Sequence, residues 1–402
     1  MHIAIYLSNH DDKAQLIAAI KADQFADIIR VAGKHCEVYS KARLQKFLQA
    51  EYQHERYELT GSANKPLARM SEGEQKKALL AAVLAKQPDI LIVDDVFDSL
   101  DTHSQQSLVR QLQHLAQDCQ IVQLFTRQRD RLDFIEQVYH WQAGALYPFV
   151  EQKRELRAFD TIIPEPFSKP AQFANPLIAM HKLSVAFADK KVIQSLDWTV
   201  NNGEFWQLTG PNGAGKSTLL QIISGDSSKG FAQDLYLFGR KKGTGESVWD
   251  IKKHIGYFTS SMVQNFSRYE TLENMLVSGF FDSVGLYVKP QAQHYHLAQQ
   301  WLRLIGLEGK AKQAFQHLNL GHQRLLLVAR AMVKHPPLLI LDEPTSGLDD
   351  EDIQRLIHLV NAMAQTKRCA IIYVSHRPEP GLKADKTLQL IPSEQGARAV
   401  FY

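Results

Sequence analysis

Eight positions in the second half of the chain have the residue types and spacing that bind phosphate groups. Gly210 is followed five positions later by the run Gly215-Lys216-Ser217, which completes the pattern G-x-x-x-x-G-K-S. Glycines let the backbone turn its N–H groups toward phosphate oxygens, the lysine contacts the terminal phosphates, and the serine hydroxyl binds Mg²⁺. A strand-like apolar stretch precedes the pattern, and a helical stretch follows it. This order predicts a nucleoside triphosphate site.

Two later strands end in side chains that could complete the site. The apolar run PLLIL is followed by Asp342 and Glu343, so that a buried strand leads into two carboxylates. Asp342 is suited to coordinate Mg²⁺, and Glu343 is suited to polarise an attacking water. The next apolar run, CAIIYVS, leads into His376. A histidine at a strand end is more often structural, but its place after these motifs favours a catalytic role.

The composition is that of a soluble globular protein without a dominant charge. The 402 residues suggest two or three domains, and the net charge of +3 argues against nucleic acid or anionic membrane as the main partner. The three cysteines are scattered, which fits a reducing compartment without a disulfide framework or zinc site. No apolar run reaches the roughly 18 residues that span a bilayer. We expect no signal peptide, and a cytoplasmic protein or one peripheral at the inner face of the plasma membrane.

Taken together, the motifs resemble those of the ABC ATPases, which have a phosphate loop, an Asp-Glu strand, SGLD and a final strand with histidine in this order. The resemblance implies an α/β fold in which a RecA-like, mostly parallel sheet carries a helical subdomain. It implies ATP hydrolysis, with ATP and Mg²⁺ as cofactors. It assigns catalysis to Glu343, His376 and Lys216, and the metal to Ser217 and Asp342.

The resemblance also assigns the nucleotide contacts. Phe187, in LSVAFADKKVI, stands where the family has an aromatic ring that stacks on adenine, although a core-facing strand residue is the alternative. The other expected contacts in this half are Gly210, Asn212, Gly213, Ala214, Gly215, Lys216, Ser217 and Thr218.

Two elements of this half depart from the family pattern. Ser260 stands where the family has the glutamine of its Q-loop, after IGYF. The family signature LSGGQ appears as part of LNLGHQR, with Asn319 in place of serine and His322 in place of glutamine. We therefore expect the signature of this half to be impaired.

The motifs recur in the first half at a fixed offset. Residues 69–101 align without a gap to residues 317–349, so that Ser71 pairs with Asn319 and Asp94 with Asp342, each pair 248 positions apart. A constant offset over such a length indicates duplication. It predicts two tandem ABC-type P-loop nucleotide-binding domains, with a first cassette at 1–148, a linker at 149–175 and a second cassette at 176–402.

The two copies differ in which motif they keep. The first retains the signature residues Ser71 and Gly73, but Asp95 replaces the catalytic glutamate and Thr126 stands in the place of His376. We expect the first copy to be degenerate at its catalytic end.

The start of the chain fits the same interpretation. The stretch SNHDDKAQL aligns with PNGAGKSTL and keeps Lys13, but it has lost the glycines and the metal-binding serine. We interpret it as a ruined phosphate loop, and an unrelated strand-turn-helix remains the alternative. The first copy is also truncated, being about 45 residues shorter between Lys13 and Ser71 than the second copy is between the matching positions. It begins too late to carry an adenine-stacking aromatic.

In ABC ATPases two cassettes close head to tail, and each ATP lies between the Walker motifs of one cassette and the signature of the other. The resemblance therefore implies intramolecular pairing of the cassettes. One competent site would combine the second phosphate loop with Ser71 and Gly73, and the other site would have both halves altered.

Two subfamilies of twin-cassette ABC proteins are candidates. A proline-rich linker argues against the translation-type ABC-F proteins, while DLYLFGRKKGTGESVWDIKKHIGYFTSS and LVSGFFDSVGLY resemble the ModF-type twin cassettes associated with molybdate-transport operons. The predicted function is ATP hydrolysis that energises or regulates transport, such as molybdate uptake, through a membrane permease or another protein. A slow ATP-dependent regulatory switch and an ABC-F-like translation or nucleic-acid-associated factor stay open. No direct nucleic-acid binding is expected.

Overall fold

The chain forms two compact units. The computed structural model describes residues 1–61, 66–70, 72–98, 100–150, 162–169, 171–188, 190–266 and 269–402. Unit 1 comprises Met1–Arg154 together with Gly347–Asp350, and unit 2 comprises Glu155–Ser346 with Glu351–Tyr402. The domain limits inferred from the sequence stay a prediction.

Unit 1 is built on a six-stranded sheet in the order β2-β3-β4-β1-β5-β6. The neighbouring pairs from β2 to β5 are parallel, and β5 pairs with β6 antiparallel. The elements are β1 (Ile3–Tyr6), α1 (Lys13–Lys21), β2 (Cys36–Ser40), α2 (Lys41–His54), α3 (Glu72–Leu84), β3 (Ile90–Asp94), α4 (Thr102–Leu115), β4 (Gln120–Phe125), β5 (Gln137–Gln142) and β6 (Ala145–Pro148), with 3₁₀ turns at Leu67–Arg69 and Gln128–Asp130.

Both faces of this sheet are buried. Along β1, Ala4 packs into the core on one side of the sheet, whereas Ile3 and Ile5 pack into the core on the other side. Successive side chains of a strand point to opposite faces, so a strand covered on both sides must be apolar throughout. This explains why β1 and β3 appear in the sequence as nearly continuous apolar runs instead of alternating ones.

Unit 2 contains two sheets. Its six-stranded sheet has the order β12-β13-β14-β9-β15-β16, and a four-stranded antiparallel sheet has the order β11-β10-β7-β8. The strands are β7 (Ile178–Phe187), β8 (Lys190–Val200), β9 (Phe205–Thr209), β10 (Asp234–Leu237), β11 (Arg240–Lys241), β12 (Ile255–Thr259), β13 (Leu338–Asp342), β14 (Ala370–Ser375), β15 (Lys386–Ile391) and β16 (Arg398–Phe401).

The helices of unit 2 surround these sheets. They are α5 (Lys216–Ile223), α6 (Val248–Lys252), α7 (Met262–Asn265), α8 (Leu272–Ser278), α9 (Ala292–Leu304), α10 (Leu320–Met332) and α11 (Asp350–Gln365), with 3₁₀ turns at Ser228–Gly230, Gly279–Phe281 and Phe315–His317. No helix of the described residues is long and apolar enough to cross a membrane.

The two six-stranded sheets have the same topology, strand for strand. The first residue after β3 and after β13 has the same unusual backbone: φ is 43° at Asp95 and 49° at Glu343. The N–H group of each donates to a carbonyl of the next strand, Leu124 or Val374, at 3.1 Å. The predicted α/β fold of two tandem cassettes is therefore confirmed, while the degenerate state of the first cassette stays a prediction.

The described residues of unit 1 contain no counterpart of the four-stranded sheet. The connection from β1 to β2 contains α1, whereas the matching connection from β9 to β12 contains α5, β10, β11 and α6. Between β2 and the signature helix α3, unit 1 has α2 and one 3₁₀ turn, where unit 2 has α7, α8 and α9. The shorter length of the first copy thus falls in two places, the antiparallel sheet and the helical subdomain.

We expect the stability of the chain to fall at acid pH, with the buried His335 as one cause. Its side chain is 7% exposed. Burial and the Arg368 cation lower the pKa of this imidazole to about 4, against the opposing effect of Glu165. The native imidazole stays neutral while the unfolded chain binds a proton below about pH 6.5. This contribution to the free energy of unfolding is complete above that pH and is lost toward pH 4, by roughly 1 kcal/mol at pH 5.5.

The measurement is urea unfolding at pH 7.5 and 5.5, followed by tryptophan fluorescence. Four of the five tryptophans belong to unit 2: Trp198, Trp206, Trp249 and Trp301. The variant His335→Asn should lose less stability between the two pH values than the wild type. The variant His296→Asn, at an exposed position, is the control and should behave as the wild type. An equal loss in His335→Asn would contradict the assignment.

Candidate functional site

The phosphate loop of unit 2 connects β9 to α5, and its backbone requires glycine. Gly215 has a φ of 93° and directly precedes the first residue of α5. A Cβ atom at Gly210, where φ is 150°, would lie 2.7 Å from the carbonyl oxygen of Leu390. L-residues rarely adopt such φ values, and the close approach leaves no room for a side chain. The loop can therefore bring its backbone, and the start of a helix, close to an anion.

The remaining loop residues have different exposures. Ala214 is 1% exposed, whereas Asn212 and Gly213 are exposed at the tip of the loop. Ser217 is exposed at the first turn of α5 and Thr218 is half-buried. The hydroxyl of Ser217 can therefore be reached by a metal ion bound outside the helix.

Lys216 is buried inside the loop, and only 5% of this residue is exposed. Its ammonium group donates to the carbonyl oxygens of Gly210 at 2.7 Å and Pro211 at 3.0 Å. The same nitrogen lies 3.1 Å from Nδ1 of His376. Neutral carbonyls supply part of the solvation that this buried cation loses to the protein. The ammonium group is thus held inside the loop, next to the start of α5, where an anion would bind.

The two carboxylates follow β13 and lie beside the same histidine. His376 contacts the Glu343 carboxylate through its other ring nitrogen, Nε2. Burial, and then the neighbouring Glu343 carboxylate, raise the pKa of Asp342 to about 6, although His376 and Lys216 act in the opposite direction. These two groups do not outweigh the effect of burial on the Asp342 carboxylate.

These residues fit Mg²⁺. The protein donors are the carboxylate of Asp342 and the hydroxyl of Ser217, and Mg²⁺ takes few protein ligands, keeping waters and substrate phosphate oxygens in its other positions. The described residues contain no group of three or more His, Cys, Asp or Glu side chains that could hold a metal. The donor set therefore suits a metal ion that arrives with a phosphorylated substrate.

One further residue of the site was missed from the sequence. Thr259 is the last residue of β12 and lies beside Asp342 in the register of the β12–β13 pair. Its hydroxyl is 2.8 Å from the hydroxyl of Ser261. Ser260, the position of the missing Q-loop glutamine, lies between them. Parallel strands place their carboxyl ends at one edge, so the end of IGYFT was a signal that a polar residue belongs to the site.

Two aromatic residues of unit 2 lie in different environments. Phe187 ends β7 and is 45% exposed, with the Lys229 ammonium 5.3 Å from its ring centroid. The alternative of a core-facing strand residue does not fit this exposure, and the ring has a face available for stacking. Trp206 is 5% exposed and packs edge-on against Trp198 in the core.

The altered signature of unit 2 is used to start a helix. Asn319 precedes α10, and its side-chain oxygen accepts a hydrogen bond from the N–H of His322 at 2.9 Å. The ring nitrogen Nδ1 of His322 lies 2.7 Å from the same oxygen. Both replaced residues of the signature are thus engaged with each other. That this signature is impaired stays a prediction.

The loop of unit 1 has carboxylates where a working loop would bind phosphate. Lys13 Nζ lies 3.1 Å from Asp94 Oδ1 and also contacts Asp95. Burial acts to lower the pKa of Lys13, but the two carboxylates outweigh it and raise that pKa. Thr126, in the place of His376, donates to Asp95 Oδ1 through its N–H and its hydroxyl, at 3.2 and 3.1 Å.

Backbone N–H groups of this loop are also paired with carboxylates. The N–H and the hydroxyl of Ser8 donate to Asp11 at 2.7 and 2.9 Å. The N–H of Asn9 donates to Asp349, in the short segment that groups with unit 1, at 2.7 Å. A nucleotide would have to displace these anions. This supports the interpretation of a ruined phosphate loop.

The first-copy signature is only partly described. Ser71 lies outside the described residues. Gly73 is half-buried in the first turn of α3, and a Cβ atom placed on it would meet nothing within 4 Å.

Of the residues expected at the site, the structure brings Lys216, Asp342, Glu343 and His376 together within unit 2.

Two family models match the chain, one in each half. The model described as ABC transporter matches residues 193–346. A model described as an AAA domain, putative AbiEii toxin, type IV toxin–antitoxin system, matches residues 11–123.

Several known proteins are similar to the chain. It is 37% identical over 343 residues to the ABC transporter ATP-binding protein ModF of Escherichia coli (strain K12). The aligned region covers 81% of this chain and 70% of that protein. It is 30% identical over 322 residues to an uncharacterized ABC transporter ATP-binding protein of Schizosaccharomyces pombe, covering 77% of this chain and 65% of that protein. The solved structure of cbiO1 from Clostridium perfringens, part of the ABC transporter complex cbiONQ, is similar over 57% of this chain and 88% of that chain, with 19% identity and a TM-score of 0.49.

The phosphate loop, the paired carboxylates and the histidine lie in one place, and the similarity to ModF extends over most of both chains. The chain therefore belongs to the ABC transporter ATP-binding proteins of the ModF type, and it is an ABC-type ATPase that uses ATP with Mg²⁺.

Proposed function

We propose that the chain hydrolyses Mg-ATP at one composite site. The site combines the phosphate loop and carboxylates of the second cassette, residues 176–402, with Ser71 and Gly73 of the first cassette, residues 1–148. The second potential site, with the loop at Lys13 and the altered signature at Asn319, does not turn over ATP.

The contrast between two lysines carries this proposal. Lys216 donates to two neutral carbonyls and lies beside His376, and a triphosphate can replace these contacts at little electrostatic cost. Lys13 is paired with the carboxylates of Asp94 and Asp95, and a triphosphate would have to displace or approach both. Like charges at such distances repel strongly in a partly buried site. The two loops therefore differ in which anion they accept.

The side chains of unit 2 have separate roles in the reaction. Glu343, held by its contact with His376, accepts a hydrogen bond from the attacking water and orients it toward the γ-phosphorus. The Lys216 ammonium stabilises the charge that develops on the β- and γ-phosphate oxygens. Ser217 and Asp342 would hold Mg²⁺, which supplies further neutralisation of that charge when bound. Phe187 is placed to stack on the adenine ring.

The signature residues complete the set of donors. The hydroxyl of Ser71 and the N–H of Gly73 would contact the γ-phosphate when the cassettes close, as in the family. Donors added only in the closed state act at the transition state and not on ATP binding alone.

We further propose that this ATPase energises or regulates a transport process through a membrane permease or another protein partner, at the cytoplasmic face of the membrane. The support is that the E. coli relative is an ABC transporter ATP-binding protein. No described helix could itself span the membrane. Molybdate is the first substrate to test, because the sequence resembles the twin cassettes of molybdate-transport operons.

A slow ATP-dependent regulatory switch is the second candidate, and Ser260 is the observation that favours it. A serine at the Q-loop position has a shorter side chain than the family glutamine and no amide group. Steady turnover of many ATP molecules per chain supports the ATPase motor, and a single burst supports the switch. No observation on the described residues favours the ABC-F-like alternative.

Removal of the catalytic carboxylate should separate binding from hydrolysis. We expect Glu343→Gln to lower steady-state turnover by about 100-fold, because the amide orients water but cannot accept its proton. Purified protein with Mg²⁺ should still retain ATP, counted as one molecule per chain. The matched control is Glu394→Gln at an exposed position, which should turn over ATP as the wild type does. Undiminished hydrolysis in Glu343→Gln would contradict the assigned role.

The composite site predicts that two further substitutions in the Glu343→Gln background differ in their effect on ATP retention. Ser71→Arg should weaken retention of ATP by about tenfold or more, because the long side chain keeps the two cassettes from closing over the bound nucleotide. Lys13→Met should leave the count at one ATP per chain. Two ATP molecules per chain would show that the first loop still binds nucleotide. Retention indifferent to Ser71→Arg would contradict the intramolecular pairing.

The transport proposal makes a prediction in cells. A strain that lacks this chain should accumulate molybdate from low external concentrations more slowly, and the wild-type gene should restore the uptake. The hydrolysis-deficient Glu343→Gln gene should not restore it. The measurement is cellular molybdenum, with sulfate uptake as the control. Equal accumulation with and without the chain would remove molybdate as the substrate but would leave the ATPase assignment intact.

A further inference from the structure

The 3₁₀ turn before the signature is the same in both cassettes. In unit 1 it is Leu67–Arg69, and in unit 2 it is Phe315–His317, again 248 positions later. Its first residue is fully buried in each case, with Leu67 and Phe315 both 1% exposed. The turn enters the signature helix directly, because α3 and α10 begin a few residues after it. A shift of the turn would therefore be passed to the start of the signature helix.

Hydrogen bonds inside the two turns also match. The N–H of Met70 donates to Leu67 at 2.9 Å, and the N–H of Leu318 donates to Phe315 at 3.1 Å. A glutamine one turn into each signature helix reaches back to the same carbonyl. The side chain of Gln75 donates to the Leu67 oxygen at 2.8 Å, and the side chain of Gln323 donates to the Phe315 oxygen at 3.3 Å.

The anchor that holds the turn differs between the cassettes. In unit 2 the N–H of Phe315 donates to the main-chain carbonyl of Glu270 at 2.9 Å. A β-bridge between Thr271 and Ala314 continues this contact. The segment around Glu270 thus fixes the turn by backbone pairing alone, just before α8 begins at Leu272.

Unit 1 uses a side chain at the same point. Its helix α2 follows β2 directly, and its described residues have no counterpart of the strand-like segment at 270–271. The N–H of Leu67 donates instead to Oε1 of Glu51 at 3.0 Å, and the N–H of Ala68 donates to Oε2 at 3.3 Å. The residue Glu51, in the last turn of α2, is only 7% exposed. A buried carboxylate is retained in a protein where it accepts hydrogen bonds that satisfy its charge.

We infer that Glu51 is a positioning residue, which replaces the deleted part of the helical subdomain and holds the first-cassette signature in place for ATP. Both N–H groups that open the turn depend on this one carboxylate. Without it the turn loses the anchor that its counterpart receives from the backbone of Glu270. The consequence for catalysis rests on the proposed function, in which Ser71 and Gly73 act on ATP bound by the second cassette.

The structural part of the inference is tested by hydrogen exchange in the full chain. We expect the amides of Leu67 and Ala68 to exchange at least tenfold faster in Glu51→Ala than in the wild type. Glu51→Gln, which keeps one acceptor oxygen, should show a smaller increase and serves if the alanine variant fails to fold. Glu58→Gln removes a carboxylate from an exposed position nearby and is the matched control. Exchange at residues 315–317 is an internal reference and should not change.

The functional part is tested by steady-state kinetics with Mg-ATP on the same proteins. We expect the kcat of Glu51→Gln to fall by about tenfold with a KM for ATP within twofold of the wild type, because the nucleotide is held by the other cassette. A merely structural role would lower the melting temperature and the active fraction without this division between kcat and KM.

The outcomes separate the two proposals. Unchanged exchange at Leu67 and Ala68 in both Glu51 variants would overturn the inference, whatever the turnover. Faster exchange with unchanged kcat would uphold the anchor and overturn the use of the first-cassette signature, and with it the composite site. Faster exchange together with the lower kcat would support both.

Discussion

A buried ammonium group is stable only beside groups that replace its water, and the two loop lysines meet this requirement in different ways. Lys216 donates to loop carbonyls and lies beside a histidine. Lys13 is paired with two carboxylates of its own unit. This difference bears directly on nucleotide binding, because carboxylates already present at the first loop repel an anionic substrate.

The parallel sheet explains why the active groups lie together. The strands β9, β13 and β14 are neighbours and parallel, so the phosphate loop, the carboxylates and His376 all leave the sheet at one edge. The left-handed backbone at Glu343 then turns its side chain toward the histidine instead of along the strand direction. The same backbone at Asp95 shows that this geometry belongs to the fold and persists in a cassette whose side chains have changed.

Much of the architecture could be predicted from the sequence, since glycine spacing and a constant offset are both visible in the order of the residues. The offset of 248 predicted two sheets of equal topology, and the phosphate pattern located the loop between strand and helix. Contacts between distant side chains could not be predicted. The approach of Lys216 to His376 and the pairing of Thr259 with Asp342 depend on strand order and register. The exposure of Phe187 likewise depends on where its strand ends against the sheet.

The anchor of the first-cassette turn has a consequence for how the two cassettes tolerate change over time. Every residue type supplies a main-chain carbonyl, so the turn of unit 2 keeps its partner whatever side chain stands at position 270. In unit 1 the partner is a single carboxylate, and one substitution at Glu51 removes it. The shortened cassette has thus exchanged a contact that is robust to mutation for one that selection must maintain at a particular codon.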